Sequence, residues 1–239
     1  VVDRFFNLTF SRYVKGENVH VTSPDFTHVA KTARNVIVTV HDIFPLKKGK
    51  IYTSYYPFYY RKYFEWEIQE LENTDAIIAV SQYTANELTK YALERGIKLP
   101  EVHVIHNTYT IHDYGLSKEE ARKLAIKYNL IPERECKLVL NVAHDEPRKN
   151  LQMLSKIPKD FCLVTVNNNR GEYSHFRLDE FKLYLLYRSA DVYLSTSIDE
   201  GFDLPIIEAL SVGTQVIASN IPAHAEIAEY QVGGIYLYN

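Results

Sequence analysis

Two glutamates eight positions apart, Glu200 and Glu208, lie in the part of the sequence that best fits a binding site. Pro205 lies between them, near the first turn of an expected helix, where proline is well tolerated. The preceding loop would present backbone N–H groups at a helix N-terminus, which favours an anion or a hydroxyl. The alternative for Glu208 is that its charge merely complements the helix dipole.

A basic pair, Arg148 and Lys149, lies at the expected start of another helix. Positive charge at a helix N-terminus is unfavourable because it repels the positive end of the helix dipole, so the presence of the pair there requires an explanation. A bound phosphate facing both the helix N-terminus and Lys149 would supply one. The alternative is a solvated surface pair, since a misplaced surface charge costs little.

The elements that must position these residues are β-branched runs that alternate with helical patterns, which is typical of a parallel α/β sheet. Most of the runs are almost continuously apolar, as strands covered on both faces by helices must be. The expected strands are Asn18–Thr22, Val36–Val40, Ala76–Val80, Val102–Ile105, Lys137–Val142, Phe161–Val166, Val192–Ser195 and Gln215–Ala218.

Three helices have recognisable boundaries in the sequence. Ser81 is a plausible N-cap of a helix that ends near Gly96. Ser117 and Glu120 form a capping box ahead of a helix over Ala121–Asn129. Apolar residues at helical spacing predict a third helix over Arg177–Ser189.

The alternating pattern breaks between Asn107 and Cys136, which predicts two domains, residues 1–112 and 113–239. Ligands of open α/β sheets bind at the carboxyl ends of the strands. Polar residues follow the strands in both halves, so the sequence predicts a cleft between the two domains.

Composition narrows the class of protein. The net charge of 27 − 30 = −3 provides no global field that would recruit nucleic acid. The apolar runs are too short to span a bilayer, and residues 1–10 contain no apolar core of a secretory signal. The sequence therefore predicts a cytoplasmic globular protein with no nucleic-acid partner.

Cysteine and histidine patterns suggest neither disulfides nor metal. Cys136 and Cys162 form no C-x-x-C motif, so we expect neither a disulfide framework nor a zinc site. The nine histidines show no H-E-x-x-H spacing, and no G-x-S-x-G occurs. Metal ligation and a hydrolase triad are therefore not expected.

Residues 47–66 interleave lysine and arginine with many aromatic rings. The favoured interpretation is a helix beginning near Pro57, with Phe58, Tyr59 and Tyr63 in the core. Basic and aromatic interleaving can also bind a membrane interface. Peripheral contact with the inner face of a membrane is therefore kept as a hypothesis.

Five motifs appear in order and together resemble the retaining GT-B glycosyltransferases of family 4. These are His41–Pro45, Asp75–Ser81, Val104–Asn107, Glu146–Asn150 and Glu200–Ala209. The resemblance runs from about Val36 to Ile221 and implies two Rossmann-like parallel-sheet domains that face a central cleft. It also implies a nucleotide-diphospho-sugar donor, held mainly by the C-terminal domain, and no metal or other cofactor.

The resemblance implies roles for the matching residues. Glu208 would hold the donor ribose, while Glu200 would contact the transferred sugar and, with His41, act at the reaction centre. The diphosphate lysine is Lys149. The other residues that the resemblance assigns to the donor are Arg148, His144, Gly201, Phe202, Asp203 and Leu204, and those that it assigns to the acceptor side or cleft are Asp42, Ser81 and Asn107.

The sequence departs from the family pattern at several places. Ala143 and His144 replace the usual Gly-Arg pair, and Asp203 replaces the usual glycine of E-G-F-G-L-P. A carboxylate at this position would repel a diphosphate unless it turned away to cap the following helix. The glycine-rich loop after the first strand and the C-terminal segment that crosses back to the N-terminal domain have no counterpart.

The resulting prediction is a retaining, metal-independent transferase that moves a hexose from a nucleotide-diphospho-sugar to an unidentified acceptor. The alternatives are a GT-B sugar-nucleotide epimerase and a non-catalytic nucleotide-sugar-binding protein. The motifs do not identify the base, the sugar or the acceptor.

Overall fold

A computed structural model describes residues 18–108, 111–230 and 233–239. The chain divides into two compact units, Val1–Asn107 (unit 1) and Thr108–Asn239 (unit 2). The division falls after Asn107, whereas the sequence suggested residue 112. The expected lack of a secretory signal concerns residues 1–10, which lie outside the described residues.

Unit 1 contains a four-stranded parallel sheet in the order β1-β2-β3-β4. Its strands are β1 (Val19–Val21), β2 (Val36–Val40), β3 (Ala76–Ala79) and β4 (Val102–Val104). Its α-helices are α1 (Lys50–Tyr55), α2 (Phe58–Gln69) and α3 (Gln82–Arg95), and 3-10 helices span Pro24–Lys31, Phe44–Leu46 and Glu70–Asn73. The central strands β2 and β3 are the apolar runs that the sequence singled out.

The aromatic segment forms α2 as expected, but its core face differs from the prediction. Phe58 and Tyr59 were expected in the core and are 75% and 62% exposed. The buried stripe is instead Phe64, Glu67 and Ile68, because these residues lie on the face turned toward the 3-10 helix Pro24–Lys31. In the first turn of α2, Tyr60 donates to Asp25 of that 3-10 helix, whereas Phe58 and Tyr59 remain exposed.

Unit 2 contains a six-stranded parallel sheet in the order β10-β9-β8-β5-β6-β7. Its strands are β5 (Lys137–Val142), β6 (Phe161–Val166), β7 (Tyr173–His175), β8 (Val192–Ser195), β9 (Gln215–Ser219) and β10 (Ile235–Tyr238). The chain adds strands on one side of β5 and then on the other. The neighbouring strands β5 and β8 therefore lie at the topological switch point, where such sheets bind ligands.

The described α-helices of unit 2 are α4 (Lys118–Lys127), α5 (Glu180–Ser189), α6 (Leu204–Ser211) and α7 (Pro222–Tyr230), and 3-10 helices span Pro147–Lys149 and Leu151–Lys156. Two of these four α-helices begin at a side-chain N-cap, which is Ser117 for α4 and Asp179 for α5. The capping box of Ser117 and Glu120 is present, and Pro205 lies in the first turn of α6 as predicted. In unit 1, Ser81 caps α3 and Gly96 ends it in a left-handed conformation.

A disulfide joins Cys136 to Cys162, with 5.9 Å between their Cα atoms. The expectation of no disulfide was therefore wrong. Cys136 immediately precedes β5, and Cys162 lies on the adjacent strand β6, where it pairs with Leu138. Parallel neighbours bring together two residues 26 positions apart, which spacing alone does not reveal.

Both units have the two-layer construction that the fold class implies, a parallel sheet with helices packed on it. Their cores are formed by fully buried aliphatic side chains of the central strands, such as Val38 and Ile77 in unit 1 and Leu138 and Leu140 in unit 2. Within the described ranges, every helix is too short or too polar to cross a bilayer.

Candidate functional site

The switch point of unit 2 brings together two loops, residues 143–150 after β5 and residues 196–203 after β8. Backbone hydrogen bonds join them. The Thr196 hydroxyl donates to the Lys149 carbonyl over 2.7 Å, and the Ile198 amide donates to the Arg148 carbonyl over 2.8 Å. The motifs Glu146–Asn150 and Glu200–Ala209 therefore meet at one place in the fold.

Glu200 is the centre of a buried ion cluster. Its carboxylate lies 2.5 Å from Arg148 Nη1 and 2.5 Å from Lys149 Nζ, and it accepts a 2.7 Å hydrogen bond from the Ser197 hydroxyl. Glu200 is only 5% exposed. A second carboxylate, Glu146, lies 2.8 Å from Arg148 Nε.

The structure corrects the expected position of the basic pair and excludes the alternative of a solvated pair. Arg148 and Lys149 do not start an α-helix, since they end the three-residue 3-10 helix Pro147–Lys149, which Asn150 terminates in a left-handed conformation. The pair is also not solvated at the surface, because both side chains are largely buried against Glu200. The charges are therefore compensated by carboxylates rather than by a helix dipole.

Asp203 occupies the N-cap position of α6 at φ 84°, in the left-handed region that favours glycine. Its side chain does not cap the helix, so the capping interpretation was wrong. It points into the cluster instead and accepts hydrogen bonds from the Ser195 hydroxyl over 2.7 Å and from His224 Nε2 over 3.0 Å. Its other oxygen lies 3.5 Å from Lys149 Nζ.

Electrostatics keep Asp203 and Lys149 ionised. Burial raises the pKa of Asp203, but the charge of Lys149 and the hydrogen bonds from His224 and Ser195 outweigh it and hold the pKa well below its ordinary value. Burial lowers the pKa of Lys149, and the nearby carboxylates of Asp203 and Glu200 more than reverse this. Lys149 is therefore a charged ammonium at neutral pH.

Glu208 lies on α6 and is 9% exposed. The buried Tyr187 of α5 donates a short hydrogen bond to it. Burial raises the pKa of Glu208, with Asp203 adding to the effect, and burial also raises that of Tyr187 well above 10. Glu208 thus has a specific tertiary partner in Tyr187. An interaction with the helix dipole alone would not require such a partner.

The remaining residues assigned to the donor have different exposures. Gly201 and Phe202 are buried in the loop before α6, and Leu204 is the first residue of that helix. His144 is exposed in the loop after β5. It therefore contributes no buried charge where the family pattern has arginine.

In unit 1, the four residues assigned to the acceptor side or the reaction centre lie after β2, β3 and β4. His41 is exposed and donates from Nε2 to the Thr22 carbonyl over 2.9 Å, and Asp42 accepts the Phe44 amide over 3.0 Å. Ser81 is fully buried, and its hydroxyl accepts the Thr84 amide over 3.0 Å. Asn107 is half-buried at the end of the unit.

The sequence analysis missed several residues of the unit 2 site. Ser195, His224 and Tyr187 contact the motif residues, and Asn168 donates to the Asn141 side chain over 3.1 Å and to the Ala143 carbonyl over 2.9 Å. Only Asn141 left a signal, because an amide stands out in an otherwise apolar strand. The others are brought in by strand and helix packing.

Comparison with known families identifies the family of this chain. The family profile described as Glycosyltransferase Family 4 matches residues 12–130, and the profile described as Glycosyl transferases group 1 matches residues 167–238. The chain belongs to the family 4 glycosyltransferases. The resemblance drawn from the five motifs is thereby confirmed.

Relatives in this glycosyltransferase family include two bacterial proteins. The serotype-specific mannosyltransferase WbdA of Escherichia coli is 25% identical over 82% of this chain and 26% of its own length. The O-antigen chain mannosyltransferase RfbU of Salmonella typhimurium is 25% identical over 84% of this chain and 56% of its own length. The chain thus spans between a quarter and a little over half of these relatives.

Solved structures share the fold of this family member. Anabaena Alr3699/HepE, in complex with UDP and glucose, superposes with a TM-score of 0.69 at 17% identity, over 98% of this chain and 66% of that chain. The sucrose-phosphate synthase of Thermosynechococcus elongatus gives 0.64 at 20% identity, over 90% and 60%. The α/β fold class with two parallel-sheet units is confirmed.

Proposed function

We propose that this chain transfers a hexose from a nucleotide-diphospho-sugar to an acceptor hydroxyl, with retention of configuration and without a metal ion. The observation that carries the proposal is the buried pair Arg148 and Lys149, held by Glu200 at the switch point of unit 2. The named activities of the relatives WbdA and RfbU support the transferase class and a hexose.

The chemistry requires positive charge where the leaving group forms. Transfer breaks the bond between the anomeric carbon and the phosphate oxygen, and the nucleoside diphosphate leaves with an extra negative charge. Arg148 and Lys149 would stabilise that charge, and a preformed buried site makes such an interaction stronger than in water. Glu200 would hold the two cations in place and contact the sugar.

The other donor roles follow from the geometry of α6 and its preceding loop. Glu208, oriented by Tyr187, would accept hydrogen bonds from the ribose hydroxyls. Gly201, Phe202 and Leu204 would line the sugar and diphosphate through their backbone. His144 would contact the outer edge of the diphosphate, since it is exposed in the loop after β5.

The acceptor roles are proposed for unit 1. His41 would act at the reaction centre, and Asp42, Ser81 and Asn107 would line the acceptor side. The exposure of the His41 ring supports this role, because its imidazole is open to a ligand. The buried Ser81 would act through the position of α3 rather than by direct contact.

The first test is a thermal-shift and calorimetry screen over nucleotide-sugars such as UDP-glucose and GDP-mannose. Bound donor should raise the melting temperature by mass action. Glu200→Gln and Lys149→Met should lose the response, while Arg170→Gln, which removes an exposed ion pair with Asp145, should keep it. A response that survives in both site variants contradicts the assignment.

Products separate transfer from its two alternatives. Transfer should release nucleoside diphosphate in the presence of a saccharide acceptor and EDTA, and NMR should show the anomeric configuration of the donor in the product. Conversion of the donor sugar without an acceptor would instead identify an epimerase. Tight donor binding with no turnover under any condition would identify a non-catalytic binding protein.

Peripheral membrane contact through residues 47–66 is a separate proposal. The exposure of Phe58 and Tyr59, with Lys62 Nζ 6.0 Å from the Phe58 ring centroid, supports it. Flotation with anionic liposomes should recover the protein, and Phe58→Ser with Tyr59→Ser should reduce that recovery. Equal recovery of both proteins, or none of the wild type, contradicts membrane contact through this segment.

A further inference from the structure

The geometry points to Asp203 and His224 as a buried ion pair that positions the Lys149 ammonium and balances the charge of the donor site. This inference rests on the proposed function, since it assigns a task to residues beside the diphosphate lysine. Neither member of the pair matches a charged residue of the motifs. The two are 21 positions apart and meet only because α6 and α7 both follow the central strands of unit 2.

Two acceptors face the ring of His224, which is fully buried. Nε2 lies 3.0 Å from the Asp203 carboxylate and Nδ1 lies 2.8 Å from the Ser219 carbonyl oxygen. The Ser219 hydroxyl lies 3.3 Å from Nδ1 and donates to the Ser197 carbonyl. An imidazolium would donate to both acceptors at once, and this is the form that the proposed ion pair requires.

The salt-bridged network that contains Lys149 has equal numbers of positive and negative groups only when this imidazolium is counted. The buried Glu208, whose pKa Asp203 helps to raise, lies outside that network. The carboxylates of the cluster are Glu146, Glu200 and Asp203, and its cations are Arg148, Lys149 and His224. Without the charge of His224, three carboxylates would face two cations. A diphosphate entering that cluster would meet a net negative field, and Lys149 would be engaged by Asp203.

Two features of Asp203 indicate the role of its side chain, namely the left-handed backbone conformation and the position of its Oδ1 atom. The residue keeps a left-handed conformation that is easier for glycine, so its side chain has a use that offsets the backbone strain. Oδ2 is held by Ser195 and His224. Oδ1 makes no hydrogen bond with the described residues and lies 3.5 Å from Lys149 Nζ, so it gives the ammonium a second carboxylate besides Glu200.

The test removes the pair in steps and measures the diphosphate subsite with inorganic pyrophosphate. His224→Gln should weaken pyrophosphate binding about tenfold, as expected for about one pK unit of altered interaction. It should raise the donor KM and leave kcat nearly unchanged. The double variant Asp203→Gly with His224→Gln removes one charge of each sign. It should therefore recover at least half of the lost pyrophosphate affinity, compared as the logarithm of Kd.

Each outcome bears on one claim. A folded His224→Gln protein with wild-type pyrophosphate affinity, or a double variant no better than the single one, overturns the ion pair. If wild-type protein binds neither pyrophosphate nor nucleoside diphosphate, the proposed function fails and the inference fails with it. If pyrophosphate binding is lost in Lys149→Met but unchanged in His224→Gln, the inference about the ion pair is wrong and the proposed function still stands.

A measurement on the unmodified protein covers the case in which His224→Gln does not fold. Nitrogen-15 NMR of the His224 ring should show both nitrogens protonated at neutral pH, and pyrophosphate should shift those signals. A neutral tautomer overturns the assignment. Signals that stay unmoved while pyrophosphate binds show a structural histidine and also overturn it.

Discussion

The carboxyl edges of the two parallel sheets carry similar residue types but use them differently. In unit 1, Asp42 and Ser81 accept hydrogen bonds from backbone amides two and three positions ahead. In unit 2, Lys149, Glu200 and Asp203 pair with one another across two loops about 50 positions apart in sequence. The loops of the unit 1 edge are also joined to each other, by His41 Nε2 donating to the Thr22 carbonyl and the Thr84 hydroxyl donating to the His41 carbonyl. These contacts are hydrogen bonds to backbone groups, whereas the unit 2 edge assembles a charged cluster of side chains.

Strand order explains the difference. The described strands of unit 1 run in sequence order across the sheet, whereas β5 of unit 2 lies between β8 and β6. At that reversal, β5 and β8 are neighbours, and the loops that follow them are joined by hydrogen bonds. Charged residues at the unit 2 edge therefore face each other, and the following predictions test this contrast.

The largest effect is expected at Lys149. Lys149→Met leaves Glu200 and Asp203 without their shared cation, which should lower the free energy of unfolding by about 3 to 5 kcal/mol. The unit 1 control is Lys62→Met, which removes a 2.7 Å pair between Glu65 and the exposed Lys62 and should cost about 1 kcal/mol or less. Urea denaturation measures both, and equal losses would break the contrast.

Reduction of the Cys136–Cys162 disulfide should act on unit 2 alone. Opening a loop with a sequence separation of 26 should destabilise it by about 3 kcal/mol. Hydrogen exchange followed by mass spectrometry should show faster exchange in β5 and β6, with unit 1 peptides unchanged. Equal acceleration in both units would show that they unfold together.

Tyr187→Phe tests the partner of Glu208. Loss of a buried hydrogen bond to a charged group should cost about 2 kcal/mol and weaken donor binding. Tyr193→Phe is the matched control, since this buried tyrosine only donates to the Val142 carbonyl over 3.4 Å. If both variants weaken donor binding equally, Tyr187 has no specific role in orienting Glu208.

Ser81→Ala tests the local role of a unit 1 motif residue. Loss of the N-cap should cost about 1 kcal/mol, and Ser81→Gly should cost only a few tenths. Both variants should retain most of the transferase activity if the hydroxyl serves α3. Activity lost in both, with stability intact, would place the hydroxyl in contact with substrate.

The smallest change in stability is expected for His41→Ala. The side chain is exposed and makes one hydrogen bond, to a backbone carbonyl, so the loss should stay within about 0.5 kcal/mol. The rate of transfer should nevertheless fall if His41 acts at the reaction centre. An unchanged rate removes His41 from that role.

Several elements were predictable because local chemistry specifies them. The strands Val36–Val40, Lys137–Val142, Phe161–Val166 and Val192–Ser195 have the predicted bounds, since β-branched and apolar runs have few alternatives. The capping box at Ser117 likewise needs only neighbouring residues. The short edge strands Tyr173–His175 and Ile235–Tyr238 were missed, because few residues and one-sided pairing leave a weak pattern.

The errors share one cause, which is that the partner lies far away in sequence. Cys162 bonds Cys136 because β5 and β6 are neighbours, and Phe58 is exposed because α2 presents another face to unit 1. Asp203 was expected to cap its own helix and instead meets His224. Spacing along the chain contains no information about such contacts.

The sequence by itself determined the family, the parallel α/β class and the two motifs that meet in unit 2, because residue type and local periodicity specify them. Only the tertiary structure decided how those motifs are charged. The strand order places Arg148 and Lys149 against Glu200, and the packing of α7 supplies His224 to Asp203. Burial then makes each of these charges depend on a partner, which no local pattern can provide.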